Sequence, residues 1–343
     1  MFLGKHHSVF IAIIFIMDFF TKITFPEVKR KYDYTDRFLL LGSCFAENIG
    51  KQLAYSKFSI DINPFGIQYN PSSISRALRL LLNGKPFSAS DLFCEKGIYY
   101  SFMHHGSFSA DTENGCLELI NSRFVKAAER IRTASVLVVT LGTAWVYKLK
   151  STGEIVSNCH KLPEKMFVRE RLNVDEIVED WSLLLNDLFS VNPGMNVLFT
   201  VSPIRHWKDG AHENQLSKAT LLLAVDELKR KFVGKIDYFP SYEIVMDELR
   251  DYRFYADDMI HPSPLAVNYI WEKFCEYYIT LQSKEVMKEI EEIRKAIAHR
   301  PFRPESEAYR QFMFQTLLKI DGIREKFPYF DFTEEKMFVE SKL

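Results

Sequence analysis

The sequence predicts an α/β fold in which helices cover both faces of a parallel sheet. Short apolar runs that end near Gly, Ser or Pro indicate buried parallel strands. These runs lie at residues 37–41, 136–140, 196–201 and 235–239. Amphipathic helical stretches lie between or after them, at residues 45–53, 74–82, 174–189 and 216–232. Strands that alternate with helices in this way are typical of a parallel sheet with helices on both faces.

The chain divides into three predicted parts: an N-terminal extension (1–24), the α/β domain (25–282) and a helical appendage (283–343). The last helix of the domain begins at Ser263-Pro264, where serine is the N-cap and proline occupies the first turn. Beyond residue 282 the composition shifts to Lys and Glu with helical spacing, and the segment Arg300-Pro-Phe-Arg-Pro304 breaks the pattern. We therefore expect two further helices packed on the core.

Charge and cysteine content exclude several classes of protein. The 343 residues carry a formal net charge of -1, which gives no basic footprint for nucleic acid. The five cysteines are scattered, with no C-x-x-C pair that would indicate a zinc site or a redox couple. Free thiols in a reducing compartment are the simplest interpretation, so we expect a cytoplasmic protein without a metal or an organic cofactor.

The N-terminal residues leave an alternative to the cytoplasmic localisation open. Lys5, His6 and His7 precede an apolar run at residues 9–17, which resembles the core of a signal peptide but is too short to span a bilayer. Asp18 interrupts the run, and no small-x-small cleavage site follows. Two alternatives stay open: translation that starts at Met17, and a secreted or periplasmic protein if the run acts as a signal. Stable membrane insertion is not expected.

Ser43 is the first candidate for chemistry, because it lies at a Gly-Ser turn between a predicted strand and the helix that follows. A hydroxyl there is at the edge of the sheet, and N–H groups at the start of the helix can stabilise an oxyanion. The alternative is a plain N-cap, although Ala46 at the third position leaves no capping box. A thiolate at the helix N-terminus would also make Cys44 a second candidate nucleophile.

His261 and Asp258 are the candidates to activate that serine. Pro262 keeps the residue before it extended, so the imidazole of His261 can project from a loop after the last strand. Asp258, three residues upstream, can accept the Nδ1 proton and select the tautomer, as a catalytic triad requires. Without Ser43, the same two residues would equally suit a loop-stabilising pair or half of a metal site.

Several motifs carry a family resemblance. Gly42-Ser-Cys-Phe-Ala46 spells the signature of the GSCFA family, which resembles a branch of the SGNH/GDSL hydrolase superfamily. The segments that also resemble the family are Asn63-Pro-Phe-Gly66, Tyr69-Asn-Pro71, Ser101-Phe-Met-His-His105, Thr140-Leu-Gly-Thr-Ala-Trp145, Asn158-Cys-His160, Ser202-Pro-Ile-Arg-His206 and Asp258-Met-Ile-His-Pro262. They extend over roughly residues 25 to 280, with a weaker resemblance beyond Arg300-Pro-Phe.

The resemblance implies a flavodoxin-like three-layer α/β/α fold, with Ser43 as nucleophile and Asp258 and His261 as the final D-x-x-H block. It also implies an oxyanion hole made by the serine N–H, a glycine N–H, for which Gly66 is the candidate, and an asparagine side chain. Thr143 stands where that asparagine is expected. The candidates to replace it are Asn63, His105, Asn158 and His206, each of which could instead be a satisfied polar residue of a loop.

Two functions of different classes follow. The first is an esterase or acyltransferase that acts on a small-molecule or glycan acyl ester; the carbohydrate part of this expectation rests on analogy with related branches. The second is a non-catalytic glycan- or peptide-binding protein on a degenerate fold of the same type. Oligomeric state is open.

Overall fold

The computed structural model describes residues 20–25 and 28–343. The signal-like run and the alternative start at Met17 lie outside these residues, so the predicted localisation is untested. In the part that is described, no helix has both the length and the apolar character needed to cross a bilayer.

Strands and helices alternate along most of the chain. The strands, in chain order, are β1 (Arg37–Gly42), β2 (Ser59–Ile62), β3 (Phe93–Glu95), β4 (Ile98–Tyr100), β5 (Val136–Leu141), β6 (Trp145–Leu149), β7 (Ile155–Val156), β8 (Phe167–Arg171), β9 (Asn196–Val201) and β10 (Ile236–Tyr238). The α-helices are α1 (Cys44–Tyr55), α2 (Pro71–Asn83), α3 (Glu113–Thr133), α4 (Val174–Val191), α5 (Gly210–Lys231), α6 (Ser241–Glu243), α7 (Pro264–Tyr278), α8 (Leu281–Ala298), α9 (Glu307–Lys326) and α10 (Thr333–Glu340).

The central sheet has five parallel strands in the order β10-β9-β5-β1-β2. Renumbered along the sheet, this is the flavodoxin-like order 2-1-3-4-5, whose connections reverse direction between β1 and β5. The carboxyl ends are in register there, with Gly42 opposite Thr140 and Thr140 opposite Thr200. The predicted α/β fold with C-terminal helices is confirmed. Ligands of such sheets bind at the carboxyl edge near this reversal, which places Ser43 where a site is expected.

Side-chain alternation along β1 divides the core into two layers. Leu39 and Leu41 face one cluster, which α2, α3, α4 and α5 cover. Phe38 and Leu40 face the other cluster, which contains residues of α1 and of α7 to α10. Successive residues of a strand point to opposite faces, so an all-apolar strand needs helices on both sides.

The C-terminal helices pack on the α1 side of the sheet. Lys57, just after α1, forms an ion pair of 2.7 Å with Glu335 of α10. The guanidinium carbon of Arg294 in α8 lies 3.9 Å from the ring centroid of Tyr55 in α1. The predicted break between two helices falls between α8 and α9. The proposed boundary at residue 282 stays a prediction.

Candidate active site

Ser43 caps α1 at the carboxyl end of β1. The turn requires glycine before it, because Gly42 has a φ of +145° and a Cβ there would lie 2.2 Å from the Thr140 carbonyl oxygen. Ser43 has extended backbone, and its Oγ accepts a 3.3 Å hydrogen bond from the Phe45 N–H. Its own N–H donates a 3.3 Å hydrogen bond to the carbonyl oxygen of Thr140. The side chain is only 1% exposed. The N-cap interpretation is thus correct as a structural role, and it leaves the hydroxyl proton available.

Asn63, after β2, lies against this turn. Its Oδ1 accepts a 2.9 Å hydrogen bond from the Gly42 N–H, which fixes the orientation of the amide. The Nδ2 group is buried and has no hydrogen-bond partner in the described chain. A buried donor without a partner is costly, and such donors deserve a functional explanation. Of the predicted replacements for the missing asparagine, Asn63 is the one that the structure places beside Ser43 with a free donor.

Gly66 does not offer the N–H that was expected of it. That group donates a 2.7 Å hydrogen bond to the Asn63 carbonyl oxygen, so it is already engaged in a turn. Glycine is required here for another reason, since the backbone has a φ of +77° and a Cβ would lie 2.3 Å from the Cβ of His105. Gly66 therefore shapes the loop and lets His105 approach. Its predicted role as an oxyanion donor is not supported in this conformation.

Asp258 and His261 form a hydrogen-bonded pair within one loop. Asp258 Oδ2 lies 2.6 Å from His261 Nδ1, and Asp258 Oδ1 accepts from the backbone N–H groups of Ile260 and His261, each at 2.9 Å. The backbone N–H of His261, then its ring, and the N–H of Ile260 lower the pKa of Asp258 to about 2. With Asp258 ionised, Nδ1 carries the proton and Nε2 is the basic nitrogen. Both side chains are half exposed, at 50% and 49%.

His206 lies at the carboxyl edge of the sheet. Its Nε2 is 3.0 Å from the point that a Cβ on Gly142 would occupy, directly after β5. Burial lowers its pKa to about 4, and the charges of Lys218, Arg169 and His261 contribute. The loop of the pair contacts the same edge, because a guanidinium N–H of Arg205, four residues after β9, donates to the carbonyl oxygen of Met259. His206 itself is a neutral ring packed edge-on at 5.1 Å against Tyr69.

A catalytic triad requires a hydrogen bond between the Ser43 hydroxyl and the His261 imidazole. Across residues 20–25 and 28–343, no hydrogen bond joins the Ser43 hydroxyl to the imidazole. The serine and the Asp-His pair lie at the same edge of the sheet, but the hydrogen bond through which His261 would accept the serine proton is not formed among the described residues. Catalytic hydrogen bonds are often long in the absence of substrate, so a movement of the exposed loop would have to complete the site.

Thr143 and Asn158 both hold loops in place. Thr143 Oγ1 lies 3.0 Å from Ser217 Oγ and accepts from the Trp145 N–H, while its own N–H donates to the Tyr69 carbonyl. Asn158 Oδ1 accepts a 2.8 Å hydrogen bond from the His160 N–H. The Thr143 hydroxyl is thus engaged with Ser217, and the predicted contribution of both residues to substrate binding stays a prediction.

Two family models match the chain. The model of the GSCFA family covers residues 37–274, and that of the GSCFA domain protein C-terminal domain covers residues 290–343. The chain belongs to the GSCFA family. No curated protein matches it in sequence.

This GSCFA protein is also similar to several solved structures. A carbohydrate esterase family 3 enzyme from Talaromyces cellulolyticus is 10% identical, with a TM-score of 0.34 over 75% of this chain and 99% of the other. A family 3 carbohydrate esterase from Clostridium thermocellum is 11% identical, with a TM-score of 0.34 over 74% and 97%. The acetyl xylan esterase Est2A from Butyrivibrio proteoclasticus is 10% identical, with a TM-score of 0.36 over 74% and 65%. No functional conclusion follows from similarity at this level.

Lys218 also lies at the candidate site, although it belongs to none of the motifs named from the sequence. It lies on α5, and its Nζ donates 2.7 Å hydrogen bonds to the carbonyl oxygens of Gly142 and Ser202, which follow β5 and β9. Burial lowers its pKa to about 7. The sequence did carry a signal: the buried stripe of α5 changes from apolar to polar toward its N-terminus, through Ser217 and Lys218 to Asn214.

The thiol of Cys44 is less suited to nucleophilic attack than its place at a helix N-terminus indicated. Burial raises the pKa of the Cys44 thiol, and the Glu47 carboxylate adds to that effect. A raised pKa keeps the sulfur protonated near neutral pH, and the thiol is a poor nucleophile in that form. Of the two neighbouring side chains of the GSCFA signature, Ser43 is therefore the better candidate nucleophile.

Proposed function

We propose that this protein is a serine esterase or acyltransferase of the SGNH type, with Ser43 as nucleophile and His261 and Asp258 as its activating pair. The observation that carries the proposal is the 2.6 Å Asp258–His261 hydrogen bond, which leaves Nε2 as the basic nitrogen at the sheet edge where Ser43 lies. The 2-1-3-4-5 strand order and the three-residue spacing of the pair support the link to SGNH hydrolases.

In the proposed reaction, His261 Nε2 removes the Ser43 hydroxyl proton while Oγ attacks the carbonyl carbon of an ester. The tetrahedral intermediate collapses, the C–O bond to the alcohol breaks, and His261 returns the proton to that alcohol. Water or a second hydroxyl then gives its proton to His261 and attacks the acyl-serine. The bond between the acyl carbon and Ser43 Oγ breaks, His261 returns the proton to Oγ, and the acid or a new ester is released. Asp258 stays ionised throughout, because its pKa of about 2 lies far below neutral.

Asn63 supplies the side-chain donor of the oxyanion site in this proposal. Its free Nδ2 lies on the amide whose Oδ1 is held by the Gly42 N–H, directly before Ser43. The N–H of Cys44, in the first position of α1, is a second donor, because the first N–H groups of a helix have no carbonyl partner within it. One well-placed donor contributes about 3 kcal/mol to transition-state stabilisation.

A carbohydrate ester is the substrate class that we propose. Beside His206, the indole of Trp207 is 50% exposed, and Tyr69 also has an exposed ring. Such side chains combine a flat apolar face with a polar edge, which suits a sugar ring. Hydrolysis and transfer differ only in the acceptor that attacks the acyl-serine, so both belong to the same proposal.

A fluorophosphonate probe tests the nucleophile, with p-nitrophenyl acetate as a turnover substrate. We expect one probe per folded wild-type chain, no labelling of Ser43→Ala, and strongly slowed labelling of His261→Ala. Ser306→Ala is the matched control, because Ser306 caps α9 through the same 3.3 Å type of contact, far along the chain from Ser43. Labelling of Ser43→Ala at the wild-type rate would disprove the role of Ser43.

One observation favours a second function, that of a non-catalytic glycan-binding protein. Ser43 is almost fully buried and acts as an N-cap, and its hydroxyl has no hydrogen bond to His261 within the described residues. In that case the same edge binds a glycan without chemistry. Folded wild-type protein that neither reacts with the probe nor hydrolyses the ester, but binds glycans, would establish this alternative.

A further inference from the structure

A cavity of about 450 Å³ lies beside the loop that carries His261. One wall comes from Arg205, after β9, and from Tyr242 of α6. Further lining comes from Arg250, Asp251, Tyr252 and Tyr255, which belong to the segment that leads into that loop. The volume is of the size that holds a small ligand, and the walls are rich in aromatic rings.

Arg205 is held rigidly at this cavity. Its guanidinium carbon lies 5.1 Å from the ring centroid of Trp207 and 5.2 Å from that of Tyr255, so two aromatic rings fix the plane of the group. One N–H donates to the carbonyl oxygen of Met259. The Nε atom is buried and lacks a partner within the described residues. A pre-oriented guanidinium fork recognises carboxylates and phosphates well.

Carboxylates do not neutralise the cavity. Asp251 is the acidic residue of the lining, and it is paired with Arg253, which is not part of the lining. Within residues 20–25 and 28–343, neither Arg205 nor Arg250 forms an ion pair. The cavity therefore presents two cations, and no described carboxylate forms an ion pair with either of them.

We propose that this cavity binds the sugar of an acidic glycan ester, with Arg205 contacting the sugar's carboxylate and the tyrosines lining its ring. The inference rests on the proposed ester chemistry and names its substrate class. Tyr252 and Tyr255, whose ring centroids are 5.6 Å apart, supply the flat faces, and Arg205 supplies the charge.

Arg205 also connects the cavity to the proposed catalytic base. Its partner Met259 lies between Asp258 and His261 and has a φ of +58°, a backbone conformation that residues other than glycine seldom adopt. The loop continues into a backbone bridge between Tyr255 and Pro262, directly after His261. A carboxylate bound at Arg205 thus places the remaining hydroxyls of the sugar next to His261.

Binding is tested without chemistry, using methyl β-D-glucuronide and methyl β-D-glucoside, which differ only in the carboxylate. By titration calorimetry on the wild-type protein, we expect the glucuronide to bind about tenfold more tightly or better, since a charge-assisted pair contributes at least that much. D-Glucose 6-phosphate is the third ligand. Equal binding of the two glycosides would overturn the proposal, and preference for the phosphate would overturn the carboxylate assignment.

Variants locate the site. Arg205→Gln is expected to abolish the preference for the glucuronide, whereas Arg310→Gln, which replaces an exposed arginine of α9 outside the cavity lining, retains it. If Arg205→Gln fails to fold by circular dichroism, Arg250→Gln gives the second reading, with a preference reduced several-fold. A preference that survives in every folded variant at Arg205 or Arg250 contradicts the assignment.

The two proposals fail in different ways. With O-acetylated forms of the same two glycosides, Arg205→Gln should lower kcat/KM for the acidic ester alone. Binding of the glucuronide without fluorophosphonate labelling of Ser43 would support the anion site and remove the hydrolase chemistry. Labelling of Ser43 without any preference for the glucuronide would leave the hydrolase standing and overturn the acidic substrate.

Discussion

Replacement of Lys218 by methionine is expected to remove a pH dependence from the stability of the fold. Lys218 is 1% exposed, and burial lowers its pKa from 10.5 to about 7. Between these values the unfolded chain binds one more proton than the native protein, so the free energy of unfolding rises with pH by about 1.4 kcal/mol per unit. This contribution is complete above pH 10.5, and it is lost progressively as the pH falls from 10.5 to 7. Over the whole interval it amounts to about 5 kcal/mol.

Urea denaturation at a series of pH values measures this effect as a difference between two proteins. Between pH 7 and 9.5, the wild type should gain about 3 kcal/mol relative to Lys218→Met, because methionine has no proton to release. Other titrating groups are shared by both proteins and cancel in the difference. Lys231→Met, which replaces an exposed lysine at the end of the same helix, should run parallel to the wild type. Parallel curves for Lys218→Met would refute the lowered pKa.

Three further substitutions test the turn and the triad. Asp258→Asn should slow fluorophosphonate labelling of Ser43 by about 10³- to 10⁴-fold, because the amide no longer selects the His261 tautomer, and unchanged labelling would contradict its role. Because the pKa of Asp258 is about 2, titration of its carboxyl group should add no inflection to the pH profile of the wild-type labelling rate between pH 4 and 9. Asn63→Asp keeps the oxygen that faces Gly42 but replaces the free donor, so kcat for p-nitrophenyl acetate should fall about 100-fold with little change in KM. Gly42→Ala should lower the free energy of unfolding by at least about 2 kcal/mol in urea titrations, because its Cβ would lie 2.2 Å from a carbonyl oxygen. Gly106→Ala, where nothing lies within 4 Å of the new Cβ, is the control and should change stability by less than about 1 kcal/mol.

Much of the α/β core could be predicted because its signals are local. Four of the five core strands lie in short, mainly apolar runs, and the structure has a strand at each of them, although Asp237 interrupts the last run. The fifth, Ser59–Ile62, was missed because it alternates polar and apolar residues at the edge of the sheet. Helix α3 was missed although its signal was present: Cys116, Ile120, Phe124, Ala127 and Ile131 are buried at helical spacing.

In the candidate site, predictions succeeded where sequence distance is short. Asp258 and His261 are three residues apart, so a single loop decides whether they meet, and the structure pairs them. The N-cap at Ser263 is local in the same way. The donor geometry depends on segments that are distant in sequence. The Gly66 N–H turned out to be engaged by Asn63, and the free amide of Asn63 is visible only once it packs on Gly42.

By itself, the sequence determined four of the five core strands, the glycine-serine turn and the Asp-His loop, because each depends on residues within a few positions of one another. Only the tertiary structure decided which donors are free, that Lys218 joins the ends of β5 and β9, and that Arg205 faces a cavity beside His261. Such contacts join segments that are close in space but distant along the chain, so the packing of the fold decides which hydrogen bonds form. Whether the Ser43 hydroxyl meets the His261 imidazole is decided in the same way, because it depends on how the loop that carries His261 lies on the sheet.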